Sequence, residues 1–460
     1  MPVNTKHKKH CEYEKRWKLV RSIVDNAASY YIRTVDVNDK LRSDQYRADA
    51  VLTNFTRLTK DGLTGLVFRK APTVRLPDKL NYLMEDATGE GVSLNAFSQK
   101  LIGEVLQTGR FGVLVDYPPV DGVVSAKEQE SGYQVARLKP YCAEAIINYK
   151  LREFGNKCKL SLVTLYEQVE DPSNEDMFDL PLVDRYRVLY LDENGLYAQC
   201  LYDENLEMVE TPTYPTKYDG SYWEEIPFQF FGSENNDPEY DPIPLYDLAI
   251  VNLGHYRNSA DYEESIFICG QPMGVWAIGG SPEQFEAANP GGILWGSRRG
   301  VNVGENGSGQ LLQANANQLA DTAMQRKEIQ AAAIGARLIA PAGGRETAEA
   351  ARIRYGSQNS ALYTLTNNSS NGIEQLLAWV CDYMHPEGEF FFQLNDVFYD
   401  DATDPQMLMA MLQCNDRGAV SVTEIRNYIR ETGGNAFLDE TDAKAETAAH
   451  QLVQSNSLPI

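Results

Sequence analysis

The stretch "RLIAPAGGRETAEAARIR", residues 337–354, joins two segments whose sequences both favour long helices. An alanine-rich run, residues 311–340, leads into it, and a second alanine-rich run begins near Glu346. Pro341 cannot continue a helix, and the two glycines that follow loosen the backbone. The pattern predicts a short, flexible loop, with Arg345 at its tip, between two long helices.

A further long helix is predicted upstream, in "LYDLAIVNLGHYRNSADYEESIF", residues 245–267. Its apolar side chains recur at helical spacing, at Leu245, Leu248, Ala249, Leu253, Tyr256, Ala260 and Phe267. A helix of about 25 residues would be roughly 37 Å long, which exceeds the globular average. Between this helix and residues 311–340, a glycine-dense stretch of about forty residues predicts a small α+β insertion. A third long helix is predicted after the loop, with one apolar face formed by Ile373, Leu376, Leu377 and Val380.

The N-terminal part of the chain is predicted to be mainly helical. Apolar residues recur at helical spacing in residues 11–34 and again, as one continuous pattern, in residues 46–72. The second pattern places on one stripe Ala48, Val51, Leu52, Phe55 and Leu58. Another helix is predicted from Leu94 to about Thr108, and it leads into an alternating strand pattern beginning at Phe111.

Residues 141–231 have a different character, with β-branched and aromatic runs separated by turn signals. One of these signals, Glu193-Asn194-Gly195, is typical of a hairpin. We therefore expect a small antiparallel sheet or barrel. The acidic, proline-containing segment "GSENNDPEYDPIP", residues 232–244, then predicts a linker and the clearest boundary in the chain.

The composition limits the functions open to the chain. It has 460 residues, with 42 Lys and Arg against 65 Asp and Glu, and a formal charge of −23. This charge argues against an ordinary nucleic-acid binder, which gains affinity by neutralising phosphates. The seven cysteines include no pair closer than sixteen positions, which favours reduced thiols over a zinc or redox motif. No signal peptide and no run of eighteen apolar residues is present, so we expect a soluble protein.

The histidines and the basic N-terminus are not predicted to form a site. Residues 6–10 contain three lysines and two histidines and are expected in a mobile terminus, with a polyanion contact as the alternative. His255 is interpreted as a packing or surface residue rather than a catalytic base.

Signatures of enzymes are missing from the sequence. The chain has no Gly-Lys dipeptide, which excludes the phosphate loop of nucleotide hydrolases. The glycine-rich "GENGSG", residues 304–309, is interpreted as a turn, and the acidic "YDDATD", residues 399–404, as a solvated loop, with a divalent cation as the alternative. Neither a histidine motif for zinc nor a Gly-x-Ser-x-Gly elbow occurs. We expect no catalytic residue, no metal site and no cofactor.

Several stretches of the sequence resemble the portal proteins of tailed bacteriophages, specifically a group found in short-tailed phages and prophages. They are "NFTRLTKDGLTGLVFRKAP", "EVLQTGRFGVLVDYPP", "EAIINYK", "SIFICGQPMGVWAIG" and "ARLIAPAGGRETAEAARIR", in this order along the chain. The resemblance implies an α+β, mainly helical subunit with wing, stem, clip and crown regions. It also implies a homo-oligomeric ring of twelve subunits at one vertex of the capsid.

The resemblance further implies a region for each part of the sequence and a set of partners. It assigns residues 1–240 to the wing, 241–270 to a first stem helix, 271–310 to the clip, 311–340 to a second stem helix, 341–348 to a tunnel loop, 349–386 to a long wing helix and 387–460 to the crown. Double-stranded DNA would pass through the channel, driven by a terminase, and tail adaptors and major capsid or scaffolding proteins would bind the ring. The implied location is the virion, after assembly in the host cytoplasm, with no membrane contact.

The tunnel loop is the candidate DNA-facing site. The residues in it or just beyond it are Pro341, Ala342, Gly343, Gly344, Arg345, Glu346, Arg352 and Arg354. A ring turns one loop per chain into a collar, and a charge of −23 per chain would repel DNA and favour sliding. The three arginines are candidates for transient phosphate contacts, with surface solubility or pairing with neighbouring glutamates as the alternative. In the insertion, Arg298 and Arg299 are candidates for contact with the terminase or an adaptor, or are ordinary solvated charges.

Two other interpretations remain open. The first is another ring protein of the same neck, an adaptor or connector, although such chains are usually too short to contain wing, stem and clip together. The second is a hydrolase whose active site is assembled from residues dispersed along the chain.

Overall fold

The computed structural model describes most of the chain up to Asp396. The described residues are 2–118, 134–171, 178–209, 211–270, 273–290, 300–312, 318–339 and 361–396, together with Gly292, Phe398, Met409, Met411 and Cys414. The chain divides into two compact units, Met1–Asp396 and Val397–Ile460. All the named helices and strands belong to the first unit, which has an α+β fold.

The N-terminal part of the first unit is mainly helical, as predicted. It contains α1 (Lys8–Val24), α2 (Lys40–Asp49), α3 (Phe55–Val67), the short strand β1 (Thr73–Arg75), α4 (Tyr82–Glu85) and α5 (Leu94–Thr108). The predicted bounds of α5 are confirmed. The Ser93 side chain accepts a hydrogen bond from the Ala96 N–H at its start, and Gly109, at φ 67°, ends it. A Cβ at position 109 would lie 2.6 Å from the Pro242 carbonyl oxygen, so both the dihedral angle and the space require glycine.

The single helical pattern predicted over residues 46–72 is wrong, because the chain breaks between α2 and α3. The Asn54 side chain accepts a hydrogen bond from a first-turn N–H of α3 and donates to the last carbonyl oxygens of α1. This capping and crosslinking stabilises a break that apolar spacing does not reveal. Val51 and Leu58, two members of the predicted stripe, are exposed, whereas Leu63 is buried.

The β-rich part follows α5. Its strands are β2 (Arg110–Asp116), β3 (Arg137–Cys142), β4 (Ile146–Phe154), β5 (Lys157–Glu170), β6 (Leu182–Leu191), β7 (Tyr197–Tyr202) and β8 (Phe228–Gly232). They form a three-stranded antiparallel sheet in the order β3–β2–β8 and a four-stranded meander in the order β4–β5–β6–β7. In the turn between β6 and β7, the Gly195 N–H donates to the Asp192 carbonyl oxygen at 3.1 Å. The predicted hairpin and the predicted antiparallel sheet are therefore confirmed.

The C-terminal part of the first unit contains the long helices. Its elements are α6 (Tyr246–Gly270), β9 (Met273–Ala277), α7 (Pro282–Ala288), β10 (Ser308–Leu312), α8 (Leu319–Ile339), α9 (Ala361–Met384) and β11 (Phe391–Gln393). The helix α6 has 25 residues, which confirms its predicted length. The second long helix begins at Leu319 and not at residue 311, because β10 pairs with β9 as an antiparallel ribbon. This ribbon and α7 confirm the α+β character predicted for the insertion.

Two predictions concern the residues after α9. The strand expected near Phe390 is confirmed, since β11 pairs antiparallel with β1. The short helices expected beyond residue 404 fall almost entirely outside the described residues.

The core lies where α1, α5 and α9 meet the three-stranded sheet. Trp17 is fully buried, and its indole N–H donates to the Thr108 carbonyl oxygen at 2.8 Å, which joins α1 to α5. The buried hydroxyls of α9 donate to carbonyl oxygens one turn earlier in the same helix, so they need no partner elsewhere. Gly372 of α9 lies against the Phe231 ring with no room for a Cβ, so α9 packs directly on β8. Among the described helices, none is both long enough and apolar enough to cross a membrane.

The segment of residues 232–244, predicted as a linker, is packed into the first unit instead. The Arg110 guanidinium, 2% exposed, donates from one nitrogen to the carbonyl oxygens of Pro238 and Glu239, at 2.7 and 2.9 Å. The same guanidinium lies 4.3 Å from the centre of the Tyr240 ring, and burial lowers its pKa. The prediction of a linker is wrong because a buried cation, supplied from a distant strand, binds the segment's backbone.

The N-terminus is also ordered, contrary to the expectation for residues 6–10. The His7 N–H donates to the Ile147 carbonyl oxygen at 2.8 Å, immediately before α1 begins. His10 is buried and packs edge-on against Trp17, with 5.2 Å between ring centres. Burial lowers the pKa of His10 to about 4. The inner side of α1, from His10 to Val24, is therefore part of the core.

Candidate functional site

The residues predicted to face DNA or partner proteins lie outside the described part of the chain. They are Pro341, Ala342, Gly343, Gly344, Arg345, Glu346, Arg352 and Arg354 at the predicted loop, and Arg298 and Arg299 in the insertion. The acidic cluster of residues 399–404 lies outside it as well. The elements that lead to the loop are described, and the candidate site is built from α6 and α8, which we call the helix pair, and from the ribbon β9–β10.

Two small residues lie in the interface between the helices of the pair. A Cβ at Gly254 of α6 would come within 2.8 Å of the Lys327 Cε, so the Lys327 side chain lies directly over the Gly254 backbone. Ala331, one turn further along α8, is 4% exposed. Ala331 therefore has the packing role expected from the sequence, whereas Ala332 and Ala333 of the same run are exposed.

His255 lies in the same interface. It is 4% exposed, and its Nε2 is 3.4 Å from the Glu328 Oε1. Phe55 of α3 packs edge-on against the imidazole, with 5.1 Å between ring centres. Burial lowers the pKa of His255, and the nearby carboxylate of Glu328 offsets this effect only in part. The interpretation of His255 as a packing residue is confirmed, since its ring is enclosed by three helices.

Asn252 anchors the first half of α6 to the N-terminal helices. It is fully buried, and its Oδ1 accepts hydrogen bonds from the N–H and the hydroxyl of Thr56, at 3.1 and 3.0 Å. Its Nδ2 donates to the Thr53 carbonyl oxygen at 2.8 Å. The Thr56 N–H belongs to the first turn of α3, where no carbonyl of the same helix can accept it. Sequence reasoning missed this contact, although a polar residue inside an apolar helical stripe is the signal for one.

The second half of α6 has fewer buried residues. Ala260 is the last buried residue of the helix, and the apolar residues Ile266, Phe267 and Ile268 are 49%, 64% and 50% exposed. Phe267 continues the predicted apolar stripe but finds no cover within the described part of the chain. This end of α6 is therefore apolar and accessible.

Two ion pairs hold the same half of α6 against the segment around α2. The Arg33 guanidinium and the Tyr46 hydroxyl both donate to the Asp261 carboxylate at 2.7 Å. The Arg42 guanidinium donates to Glu264 at 2.6 Å. Both acidic residues lie off the apolar stripe of α6, and their arginine partners are more than 200 positions away in the chain. Partners so distant in sequence cannot be inferred from helical spacing alone.

The face of α8 opposite α6 is uncovered. It is formed by exposed residues at alternating spacings of four and three, namely Thr322, Arg326, Ile329 and Ala333. Ile329 is 72% exposed. Two of these four residues are apolar and two are polar, so the uncovered face has mixed character. Within the described residues of a single chain, no element covers it.

The ribbon β9–β10 continues this accessible surface. Val275 on β9 is 45% exposed, and Leu311 and Leu312 on β10 are 63% and 56% exposed. The stretch interpreted as a turn, residues 304–309, does turn the chain into β10, with Gly304 at φ 79° and thus in the left-handed region. A two-stranded ribbon with exposed apolar side chains is typical of a contact surface.

An open groove of about 930 Å³ lies between residues 33–46 and the ends of the helix pair. It is lined by charged residues, including Asp261 and Glu264, and by apolar ones, including Ile268 and Leu319. Both carboxylates are already engaged by arginines, so the groove does not present them as a pair for acid–base chemistry. In the described part of the chain, no three His, Cys, Asp or Glu side chains are grouped so that they could hold a metal ion. The groove therefore presents apolar side chains together with charges that are already paired.

The chain is similar to known proteins both over the helix pair and over most of its length. Residues 244–384, which span the helix pair, the insertion and α9, match a family described as a domain of unknown function, DUF4055. No curated protein matches the chain at a significant level.

Solved structures give matches that extend over more of the chain. One similar chain comes from the virion of a native gene transfer agent (GTA) particle, with 13% identity and a TM-score of 0.41, covering 87% of this chain and 92% of the other. Another comes from the neck of a native GTA particle computed with C12 symmetry, with 15% identity and a TM-score of 0.40, covering 81% and 89%. A third comes from the neck of an empty GTA particle computed with C6 symmetry, with 13% identity and a TM-score of 0.40, covering 88% and 93%. The chain is thus similar, at low identity and over most of its length, to chains of gene transfer agent virions and necks.

Proposed function

We propose that the chain is a portal protein, one subunit of a dodecameric ring that surrounds a channel for double-stranded DNA. The ring would occupy one vertex of a capsid, where a terminase drives DNA inward and tail adaptors later bind. In this role the chain conducts DNA and catalyses no reaction. The sequence resemblance described above suggests this function, and the helix pair gives it a physical basis.

The observation that carries the proposal is the uncovered face of α8. Closed cyclic assembly brings one face of each subunit against a different face of the next, so a helix that packs on one side only can be covered on the other by a neighbour. Covering an exposed isoleucine such as Ile329 stabilises an interface by about 1.5–3 kcal/mol. The same gain recurs at every interface of a ring. A closed assembly therefore accounts for a long helix that a single chain leaves half exposed.

The charge of the chain suits a conduit. At −23 per subunit, a ring repels the phosphate backbone at long range and releases few counterions on contact, so DNA would not be gripped. Within this setting, residues 341–348 would form the tunnel loop, and Arg345, Arg352 and Arg354 would make brief phosphate contacts. Arg298 and Arg299 would face the terminase or an adaptor.

Negative-stain imaging and native mass spectrometry of the purified full-length protein test the proposal. We expect ring-shaped particles of roughly twelve times 51.6 kDa. Ile329→Glu should prevent ring formation, because it would bury a charge in each interface. Leu151→Glu, a matched change at an exposed apolar residue of β4, should leave the rings intact.

Two outcomes count against the proposal in different ways. Compact monomers or dimers of the unaltered protein, under salt conditions that permit assembly, would contradict the ring itself. Rings formed equally well by both variants would leave the ring standing and remove the α8 face from its interfaces.

A further inference from the structure

The outward face of α1 is basic, in contrast to the chain as a whole. Lys8, Lys15 and Lys18 are all exposed and lie on one side of the helix, at spacings of seven and three residues. Over these ten positions the face extends about 15 Å. Its other exposed members are Cys11 and Glu12. The chain has a formal charge of −23, so a face with three lysines and one glutamate needs a separate explanation.

These three lysines are not used in the ion pairs that hold α1 in place. Other cations of the N-terminal region are paired: Lys6 with Glu14, and Arg21 with both Glu104 and Glu144. In the described residues, no carboxylate pairs with any of the three lysines of the outward face. The Lys18 Nζ lies 5.5 Å from the centre of the Tyr30 ring, which is itself 52% exposed, so the charge of Lys18 still reaches solvent. The three charges are therefore available to a ligand.

The helix holds these charges in a fixed arrangement. His10, Trp17 and Ile23 on its inner side are buried, and the Trp17 indole is hydrogen-bonded to α5. Arg21 ties the C-terminal half of the helix to Glu104, also on α5, and to Glu144, which precedes β4. Because the backbone under the lysines is anchored, binding a ligand adds no cost for ordering the backbone of the helix.

We propose that the outward face of α1 binds the phosphate backbone of double-stranded DNA. Lysine is a compact, flexible charge that suits phosphate oxygens. The exposed face has no large apolar residue, whereas a protein interface needs a desolvated apolar centre, so DNA fits this face better than an acidic protein does. At physiological salt the screening length is about 8 Å, so the local charges of α1 outweigh the distant acidic residues of the chain.

The salt dependence of binding gives this site a numerical signature. Each lysine–phosphate contact contributes about −0.9 to the slope of a plot of log affinity against log salt concentration, so three contacts predict a slope of roughly −2.7. Between 50 and 200 mM salt, affinity should therefore fall by about fortyfold. Glu12 lies one turn from both Lys8 and Lys15 and repels phosphate, so its neutralisation should strengthen binding.

Fluorescence anisotropy of a labelled 30-base-pair duplex with the purified full-length protein tests the site. The triple variant Lys8→Glu, Lys15→Glu and Lys18→Glu should bind at least tenfold more weakly and lose most of the salt slope. The triple variant Lys70→Glu, Lys150→Glu and Lys157→Glu changes the net charge equally at exposed positions elsewhere and should bind as the unaltered protein does. Glu12→Gln should bind more tightly, which a merely misfolded variant cannot do.

The opposite results would overturn the proposal. It is wrong if the unaltered protein does not bind the duplex, if the two triple variants bind equally, or if Glu12→Gln leaves the affinity unchanged. Loss of particle assembly in the α1 variant, with DNA binding equal to that of the control variant, would identify a second copy of the chain as the occupant of the face instead. Ring formation and duplex binding are measured separately, so this inference and the proposed function can fail independently.

Discussion

Replacing Asn252 with alanine should destabilise the first unit by about 3 kcal/mol. The change removes the acceptor for both the N–H and the hydroxyl of Thr56, a residue with 0% exposure that water cannot reach. A buried donor left without a partner costs about 1–3 kcal/mol, and two donors are affected. The lost donation to the Thr53 carbonyl adds less, because Thr53 is exposed and water can replace the amide.

Urea unfolding followed by tryptophan fluorescence measures this free energy, at one protein concentration for all variants so that assembly does not shift the midpoints. Asn258→Ala is the matched control, since it makes the same change on the same helix at a partly exposed position. It should alter the free energy of unfolding by no more than about 0.5 kcal/mol. Equal midpoints for the two variants would refute the reasoning, because they would mean that the Thr56 donors find another acceptor at no cost.

Two further changes should alter the pH dependence of stability. Burial alone would raise the pKa of Glu167, but Arg187 and Arg185 lower it from 4.5 to about 2. The stabilising contribution of the Glu167 carboxylate is therefore complete above pH 4.5 and is lost as the pH falls toward 2. Glu167→Gln should reduce this loss of stability in acid. Burial lowers the pKa of His10 from 6.5 to about 4. As the pH falls from 6.5 to 4, the imidazole is therefore protonated in the unfolded chain but not in the folded one, and the free energy of unfolding decreases. His10→Leu should remove this decrease. Thermal unfolding scans at pH values across each window measure both effects, and profiles identical to that of the unaltered protein would contradict the assigned causes.

The parts of the fold that sequence predicted well have local causes. The helix α5 begins at a serine cap and ends at a glycine with a positive φ, and both signals lie within two residues of the helix. The length of α6 follows from one uninterrupted apolar stripe, and the β6–β7 hairpin from an Asn-Gly turn. In each case the residues that decide the structure are neighbours in the chain.

The parts that sequence missed depend on partners far apart in the chain. The break before α3 is stabilised by Asn54 binding the end of α1, and residues 232–244 are held by Arg110. Composition marked that acidic, proline-containing segment as a linker, because no local pattern announces a buried guanidinium more than one hundred residues away. The prediction of a mobile N-terminus was wrong for the same reason. The many lysines near His10 and Trp17 suggest a solvated segment, whereas in the fold the two rings pack against each other in the core.

The candidate site was predicted in outline only. Helical spacing identified the helix pair and the insertion, and alanine content indicated their close approach. Spacing could not show that one face of α8, which includes Ile329, stays uncovered, since that depends on which side α6 occupies. The residues predicted for the loop and the insertion tip remain predictions, because they lie outside the described residues.

The order of strands in the three-stranded sheet has a consequence for synthesis of the protein. The central strand β2 pairs on one side with β3, which follows it closely, and on the other with β8, which is separated from it by residues 117–227. The first pairing can form once β3 has been made, so at translation rates of about 5–20 residues per second roughly 4–17 s pass between the two pairings. During that interval one edge of β2 is available to any passing strand, so the nascent chain is most exposed to aggregation before its Phe-rich segment at 228–231 leaves the ribosome.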